Sequence, residues 1–302
     1  MKIGIVGAGK WGQALGFAFS KNHEVFYSSR TKKDLPNFIS MQEVQKLEYL
    51  VFAISAQNAR AWLETHFDFR DQKFLVASKG IEISTGKFLN EVFEEFIPKE
   101  NLAFISGPSF AAEVMQSLPT AIVVSSQNSE LAKTYASFFP DFMKSYVSDD
   151  TIGAEVSGAY KNIIAIASGI CDGLKLGNNA RASLIARGLV EMTRFGAFYG
   201  AKKDTFLGLS GAGDLFLTAT SVLSRNYRVG LGLAEGKALE TILEELGEVA
   251  EGVYTTEAVY KIVQKEDIYT PIATEVYRIL NGKDVHESLR DLLSSSHEER
   301  SG

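Results

Sequence analysis

The sequence predicts an α/β N-terminal half, built on a doubly wound and mostly parallel sheet, followed by an all-α C-terminal half. Three observations carry this. Up to about residue 150, six short runs that are apolar throughout alternate with stretches of helical spacing. Such strands belong in a parallel sheet covered on both faces. Beyond residue 150 no comparable strand candidate appears, and helical periodicity takes over. The chain has 302 residues, enough for two ordinary domains.

The elements follow in order. The strand candidates are "KIGIVG", "EVFYSS", "YLVFAI", "KFLVAS", "LAFIS" and "TAIVVSS". After the first, "KWGQALGFAFSKN" places Trp11, Ala14, Leu15, Ala18 and Phe19 on one helical face. Further helices are expected over 57–65, 87–96 and 129–138. The second half reads as helices over 151–171, 180–199, 214–225, 238–246, 254–265, 270–281 and 285–293. The domain boundary falls at "SDDTIG", giving domains 1–150 and 151–302, with Asp149 or Asp150 capping the long helix. The polar tail "SSSHEERSG" is expected to fray.

Composition narrows the function. A net charge of −6 argues against a protein that tracks nucleic-acid phosphates. The single cysteine, Cys171, allows no internal disulfide and points to a reducing compartment; it reads as a buried filler rather than a nucleophile. The N-terminus enters a strand at once, leaving no secretory leader, and no run approaches the roughly 20 apolar residues of a membrane span. A soluble, cytoplasmic protein is expected. His23, His66, His286 and His297 are dispersed and form no metal-ligand spacing.

The most informative turn is "GAGKWG". Gly7, Gly9 and Gly12 have the G-x-G-x-x-G spacing, with Lys10 and Trp11 between the last two. The pattern alone is weak, but here it leaves a strand and opens a helix. In a Rossmann domain such glycines bring backbone N–H groups and a helix N-terminus to a pyrophosphate. A turn that only packs strand on helix is spelled the same way. The second strand ends in Ser28, Ser29, Arg30, Thr31, Lys32 and Lys33, without the acid that reads an NAD ribose. Arg30 can pair with a 2′-phosphate, which favours NADPH and admits NADH. A solvated basic loop describes Lys32 and Lys33 better.

Ligands of such folds lie beyond the carboxyl ends of the strands. Lys79 follows the fourth strand, as a ligand contact or a surface turn lysine. Gly107 and Ser109 follow the fifth, where Ser109 reads first as a helix N-cap and second as an anion contact. Lys161 is different. On its helix the same-face neighbours are Ser157, Gly158, Ile164 and Ala165, all small or apolar. Burial there would lower an amine's pKa and suit it to proton transfer. The competing reading is a stem that packs while the head snorkels out. In "SGAGDLFLTATSVLSRN", Asp214 opens a helix and Thr218 shares its face. Arg225 returns to that azimuth roughly 16 Å further on, so the helix must bend or end near Ser224 if both ends touch one small ligand. Asp214 can hold a lysine or a hydroxyl; Arg225 and Asn226 can donate to a phosphate. The plain alternatives are a dipole-stabilising acid and a C-terminal helix cation.

Together "GAGKWG", "ASKG", "SGPSFAAEV", "YKNIIAIASGI", "GNNARASLIARGLVEM", "SGAGDLFLTATSVLSRN" and "VAEGVYTT" resemble the bacterial-type NAD(P)-dependent glycerol-3-phosphate dehydrogenases, over most of the chain and in order. Ala77, Tyr160 and Ala212 depart from the commoner wording, where the first two positions often hold cysteine and leucine. The resemblance implies reversible reduction of dihydroxyacetone phosphate to sn-glycerol 3-phosphate for phospholipid synthesis, and a homodimer. It implies Lys161 as general acid/base, with Asp214 beside it. It implies Lys79, Gly107, Ser109, Asp214, Ser224, Arg225 and Asn226 along the substrate, supported by Asn162 and Thr218. Trp11, Arg30, Lys79, Ala111, Arg225 and Glu251 are implied along the cofactor. Two other readings compete: a two-domain hydroxy-acid dehydrogenase of the hydroxyisobutyrate or 6-phosphogluconate type, and a non-catalytic NADPH sensor.

Overall fold

The computed structural model describes residues 1–294; His297 and all but the first residue of the "SSSHEERSG" tail lie outside them. The chain divides into two compact units. One holds Met1–Lys79 and Phe88–Glu155; the other holds Gly80–Lys87 and the residues from Val156 onward.

The first unit is a seven-stranded sheet. Its strands are β1 (Lys2–Val6), β2 (Glu24–Ser28), β3 (Tyr49–Phe52), β4 (Lys73–Val76), β5 (Leu102–Ser106), β6 (Thr120–Ser125) and β7 (Met143–Ser148), in the order β2-β1-β3-β4-β5-β6-β7. The first five run parallel; β6 pairs antiparallel to β5 and parallel to β7. The helices are α1 (Lys10–Phe19), α2 (Met41–Val44), α3 (Ala59–His66), α4 (Leu89–Glu94), α5 (Ala111–Val114) and α6 (Ser129–Phe138). The expected strands carry apolar runs because both faces are covered. Ile3, Ile5, Val51, Leu75 and Ile105 pack with Leu15, Phe19, Tyr135 and Phe138. Val6, Leu50, Phe52, Phe74 and Phe104 pack with Trp62 and Phe93. Each fully buried phenylalanine contributes about 1.5–3 kcal/mol.

All six expected strands form. The seventh, β7, was not expected. It is an edge strand in which Met143 is buried while Tyr146 and Val147 are exposed, so it carries no continuous apolar run.

The second unit is helical: α7 (Thr151–Gly173), which begins in the first unit, then α8 (Asn178–Phe198), α9 (Lys203–Leu207), a π-helical turn (Leu209–Gly213), α10 (Asp214–Ala219), α11 (Arg225–Ala234), α12 (Leu239–Leu246), α13 (Glu251–Glu266), α14 (Pro271–Leu280) and α15 (Val285–Ser294). Asp150 starts α7, its Oδ1 accepting the Gly153 N–H at 2.9 Å. α7 is buried along nearly its whole length, as expected of a helix with apolar or small residues all round. α11 crosses it at glycines. A Cβ on Gly169 would stand 2.1 Å from the Tyr227 carbonyl oxygen, and one on Gly230 would stand 2.0 Å from that of Ile166.

One helix expectation needs correction. The stretch 214–225 is not one helix. α10 ends at Ala219, and α11 begins after Ser224. In between, the Thr220 hydroxyl donates to the Phe216 carbonyl at 2.7 Å and the Ser221 Oγ accepts the Leu223 N–H at 3.1 Å. Such local bonds compete with helix continuation.

Candidate active site

Each glycine of the turn after β1 has its own reason. Gly7 sits at φ +106°, and its N–H donates to the Ser28 carbonyl at 2.8 Å. A Cβ on Gly12 would stand 1.9 Å from the Gly7 carbonyl oxygen, so α1 can approach the turn only with glycine there. Gly9 differs: a Cβ there would meet nothing within 4 Å. It leaves an open face at the start of α1, where a bound group can approach the backbone. Lys10 opens α1 and is exposed. The Trp11 indole N–H donates to the Ala77 carbonyl at 3.1 Å, so part of its role is to tie α1 to the end of β4. Arg30 is exposed beyond β2 and has no hydrogen-bond or ion-pair partner among the described residues.

At the other strand ends the picture is mixed. Lys79 is half-buried beyond β4. Gly107 follows β5 at φ +103°, where a side chain is strained; a Cβ would also crowd the Ala121 carbonyl oxygen at 3.2 Å. Ser109 is not the helix N-cap. That position belongs to Phe110, and the Ser109 hydroxyl donates to the Gly107 carbonyl at 3.2 Å. Ala111 is the first residue of α5, which is a single turn.

The second unit gathers the charged chemistry. Lys161 is 8% exposed, so its head does not snorkel into solvent. Its Nζ donates to Asp214 Oδ1 at 2.5 Å and to Thr218 Oγ1 at 2.8 Å. The Thr218 hydroxyl lies 3.3 Å from the same carboxylate oxygen. The small α7 neighbours leave room for the amine, and the π-helical turn delivers Asp214, itself 1% exposed, to meet it. The carboxylate opposes the desolvation that would otherwise strip the amine of its charge. An ammonium held by a carboxylate and a hydroxyl can stabilise a developing oxyanion and then yield its proton.

The neighbouring amides brace the site. Asn162 Nδ2 donates to the Gly158 carbonyl at 3.3 Å. Asn226 Oδ1 accepts the Gly252 N–H at 2.9 Å, which ties α11 to the start of α13 beside Glu251. Half of the Asn226 carboxamide is therefore structural, with Nδ2 left as a donor. Ser224 caps α11, its Oγ accepting the Tyr227 N–H at 3.3 Å. Arg225 stands in the first turn of α11, not in the last turn of a longer helix, which removes its reading as a C-terminal helix cation. Its Nη1 meets Glu248 Oε2 at 3.4 Å, with 42% and 31% of the two side chains exposed.

Sequence reasoning missed two buried carboxylates. Glu155, on α7, accepts the Asn90 backbone N–H at 3.2 Å. Glu191, on α8, accepts the Ile272 and Ala273 N–H groups at 2.9 and 2.8 Å and the Tyr160 hydroxyl at 2.8 Å. Burial pushes their carboxyls up to about 8 and about 7 respectively. For Glu155 the available signal is an acid among the mostly apolar and small residues of α7; Glu191 has no such signal, because α8 also carries Arg181, Arg187 and Arg194. Glu191 also explains Tyr160, whose hydroxyl has a buried acceptor. Cys171 is buried as expected, and burial pushes its thiol up, away from nucleophilic use.

Comparison with known proteins places this chain in a family. Residues 33–132 match the family model described as the NAD-dependent glycerol-3-phosphate dehydrogenase N-terminus, and residues 150–290 match that of the C-terminus. A protein of Sulfurimonas denitrificans named glycerol-3-phosphate dehydrogenase (NAD(P)+) is 62% identical over 97% of this chain and 99% of its own. The chain belongs to the NAD-dependent glycerol-3-phosphate dehydrogenase family. A Campylobacter jejuni glycerol-3-phosphate dehydrogenase (NAD(P)+) is 60% identical over 98% of this chain and 100% of its own. The crystal structure of glycerol-3-phosphate dehydrogenase from Coxiella burnetii superposes with a TM-score of 0.90 at 33% identity, covering 97% of this chain and 98% of that one. D-mandelate dehydrogenase superposes at 0.61 with 14% identity, a likeness of fold alone.

Proposed function

We propose that the chain reversibly reduces dihydroxyacetone phosphate to sn-glycerol 3-phosphate with NAD(P)H, supplying glycerol phosphate for phospholipid synthesis. The observation that carries this reading is the buried Lys161–Asp214–Thr218 cluster in a chain of this family.

Residues 1–150 hold the dinucleotide and residues 151–302 supply the acid. Gly7, Gly9, Lys10, Trp11 and Gly12 take the pyrophosphate side, because Gly9 alone of the three glycines is open above its Cα. Arg30 takes the 2′-phosphate of NADPH; Lys79, Ala111, Arg225 and Glu251 complete the contacts. When bound, the reduced nicotinamide supplies a hydride to the carbonyl carbon of the triose. Negative charge then gathers on the carbonyl oxygen, where the Lys161 ammonium stabilises it and passes a proton from Nζ. Asp214 and Thr218 orient that head group so that little reorganisation is left to the reaction. Arg225 and the Asn226 amide nitrogen grip the phosphate. The Arg225–Glu248 pair is long and half-exposed, worth about 0–1 kcal/mol, so a phosphate exchanges for it readily. Gly107 and Ser109 of the first unit, and Asn162 and Ser224 of the second, are further proposed substrate contacts.

NADPH oxidation with dihydroxyacetone phosphate, beside the keto acids of related dehydrogenases, tests the reading. Preference for the triose phosphate is expected. Preference for a keto acid would assign the chain to hydroxy-acid chemistry, and NADPH binding without turnover would make it a sensor. Arg30→Asp should lower the NADPH to NADH ratio of kcat/KM at least about tenfold, the loss of one charge-assisted contact. An unchanged ratio would take the 2′-phosphate away from Arg30. No described helix is long and apolar enough to cross a membrane. A cytoplasmic location and a homodimer belong to the same proposal, and fractionation and analytical ultracentrifugation check them.

A further inference from the structure

Asp172, Arg181 and Tyr227 form a cluster that no step of the reaction above uses. Asp172 stands in the last turn of α7 and Arg181 in the first turn of α8. Each charge is at the end of its helix that the macrodipole disfavours, so local helix stability accounts for neither. They meet each other instead. Arg181 Nη1 donates to Asp172 Oδ2 at 2.8 Å, and Arg181 Nη2 donates to Asn178 Oδ1 at 2.9 Å. The same Asp172 Oδ2 accepts the Tyr227 hydroxyl at 2.5 Å, from the first turn of α11. Burial is the largest influence on Tyr227 and pushes its hydroxyl up to about 12, so it remains a donor at neutral pH.

A pair that only staples α7 to α8 needs no third member. Tyr227 brings in the start of α11, two residues after Arg225. That start is poorly held from its own side, because Val222 and Leu223 just before it are exposed. The Arg225 side chain is half-exposed and meets Glu248 at 3.4 Å, a weak tether. Its placement therefore follows the backbone of the first turn. That backbone is fixed at Tyr227. The hydroxyl is tied to Asp172, and the N–H donates to the Ser224 Oγ at 3.3 Å. The carbonyl oxygen lies against Gly169, where a Cβ would stand 2.1 Å away.

We propose that Asp172 is a positioning residue for triose phosphate binding: through the Tyr227 hydroxyl it fixes the first turn of α11, and so the place from which Arg225 reaches the substrate phosphate. The inference rests on the reading that Arg225 grips that phosphate. A guanidinium set in place before the ligand arrives loses less freedom on binding.

The test is a double-mutant cycle in KM and kcat for dihydroxyacetone phosphate, with wild type, Tyr227→Phe, Arg225→Met and the double variant. Phenylalanine keeps the ring in its buried place and removes only the hydroxyl. Tyr227→Phe should raise KM about tenfold and leave kcat within about twofold of wild type. Asp172→Ala removes the acceptor instead. It should raise KM by the same factor, and Tyr227→Phe should add nothing to it. In the Arg225→Met background, Tyr227→Phe should change KM less than about twofold. A merely structural role would lower kcat as well, or act equally in both backgrounds, and either result overturns the proposal. So does an unchanged KM in Tyr227→Phe. If Arg225→Met itself leaves KM unchanged, Arg225 does not hold the phosphate, and that reading falls together with the proposal. Should one of Tyr227→Phe and Asp172→Ala fail to fold, the other completes the cycle with Arg225→Met.

Discussion

Lys161→Met is expected to lower kcat for dihydroxyacetone phosphate reduction about a thousandfold while leaving NADPH affinity unchanged. A thousandfold corresponds to about 4 kcal/mol of lost transition-state stabilisation. Methionine fills a similar volume in the buried position but can neither stabilise the oxyanion nor donate a proton. The substitution also strands Asp214, which is 1% exposed and loses its ion partner. Part of any stability loss therefore comes from an uncompensated buried charge. Fluorescence titration with NADPH separates the two effects, because the glycine turn and Arg30 belong to the other unit.

Asp214→Asn is the second large effect, expected at about a hundredfold in kcat, or about 2.7 kcal/mol. Asparagine keeps the shape, and the Thr218 hydroxyl still lies on the amine, so orientation is partly retained. The counter-charge is lost. Without it a lysine that is 8% exposed sheds its proton at lower pH. The alkaline limb of the rate profile for ketone reduction should therefore move toward lower pH, since the proton must be present on Nζ to be given. A profile that keeps its wild-type limb would mean that Asp214 orients Lys161 without controlling its charge.

The sequence showed the parts of the fold that local pattern dictates. Six strands carry a short apolar run because both sheet faces are covered, and such a run is legible without knowledge of its neighbours. β7 lacked that signature, since an edge strand can leave Tyr146 and Val147 exposed. The break between α10 and α11 was invisible to periodicity. Thr220 and Ser221 form their own turn bonds there, and only the Ser224 cap marks the restart. At the site, Lys161 stood out as a charge on an apolar helix, but its partner lies 53 residues away. Nothing local says that a π-helical turn will bring Asp214 to it. Ser109 and Asn226 show a different limit of sequence reading. Each has a hydrogen-bonding side chain that the fold partly spends on its own backbone, at Gly107 and Gly252. Glu155 and Glu191 went unread for a related reason: the N–H groups that make their burial tolerable come from distant helices.

The claim beneath these predictions is that the Lys161 ammonium acts in the chemical step itself. The single-turnover rate of NADPH oxidation by Lys161→Met, at saturating dihydroxyacetone phosphate, tests it without interference from binding or product release. The account predicts a rate about a thousandfold below wild type. A rate within about threefold of wild type, less than 1 kcal/mol, would contradict it.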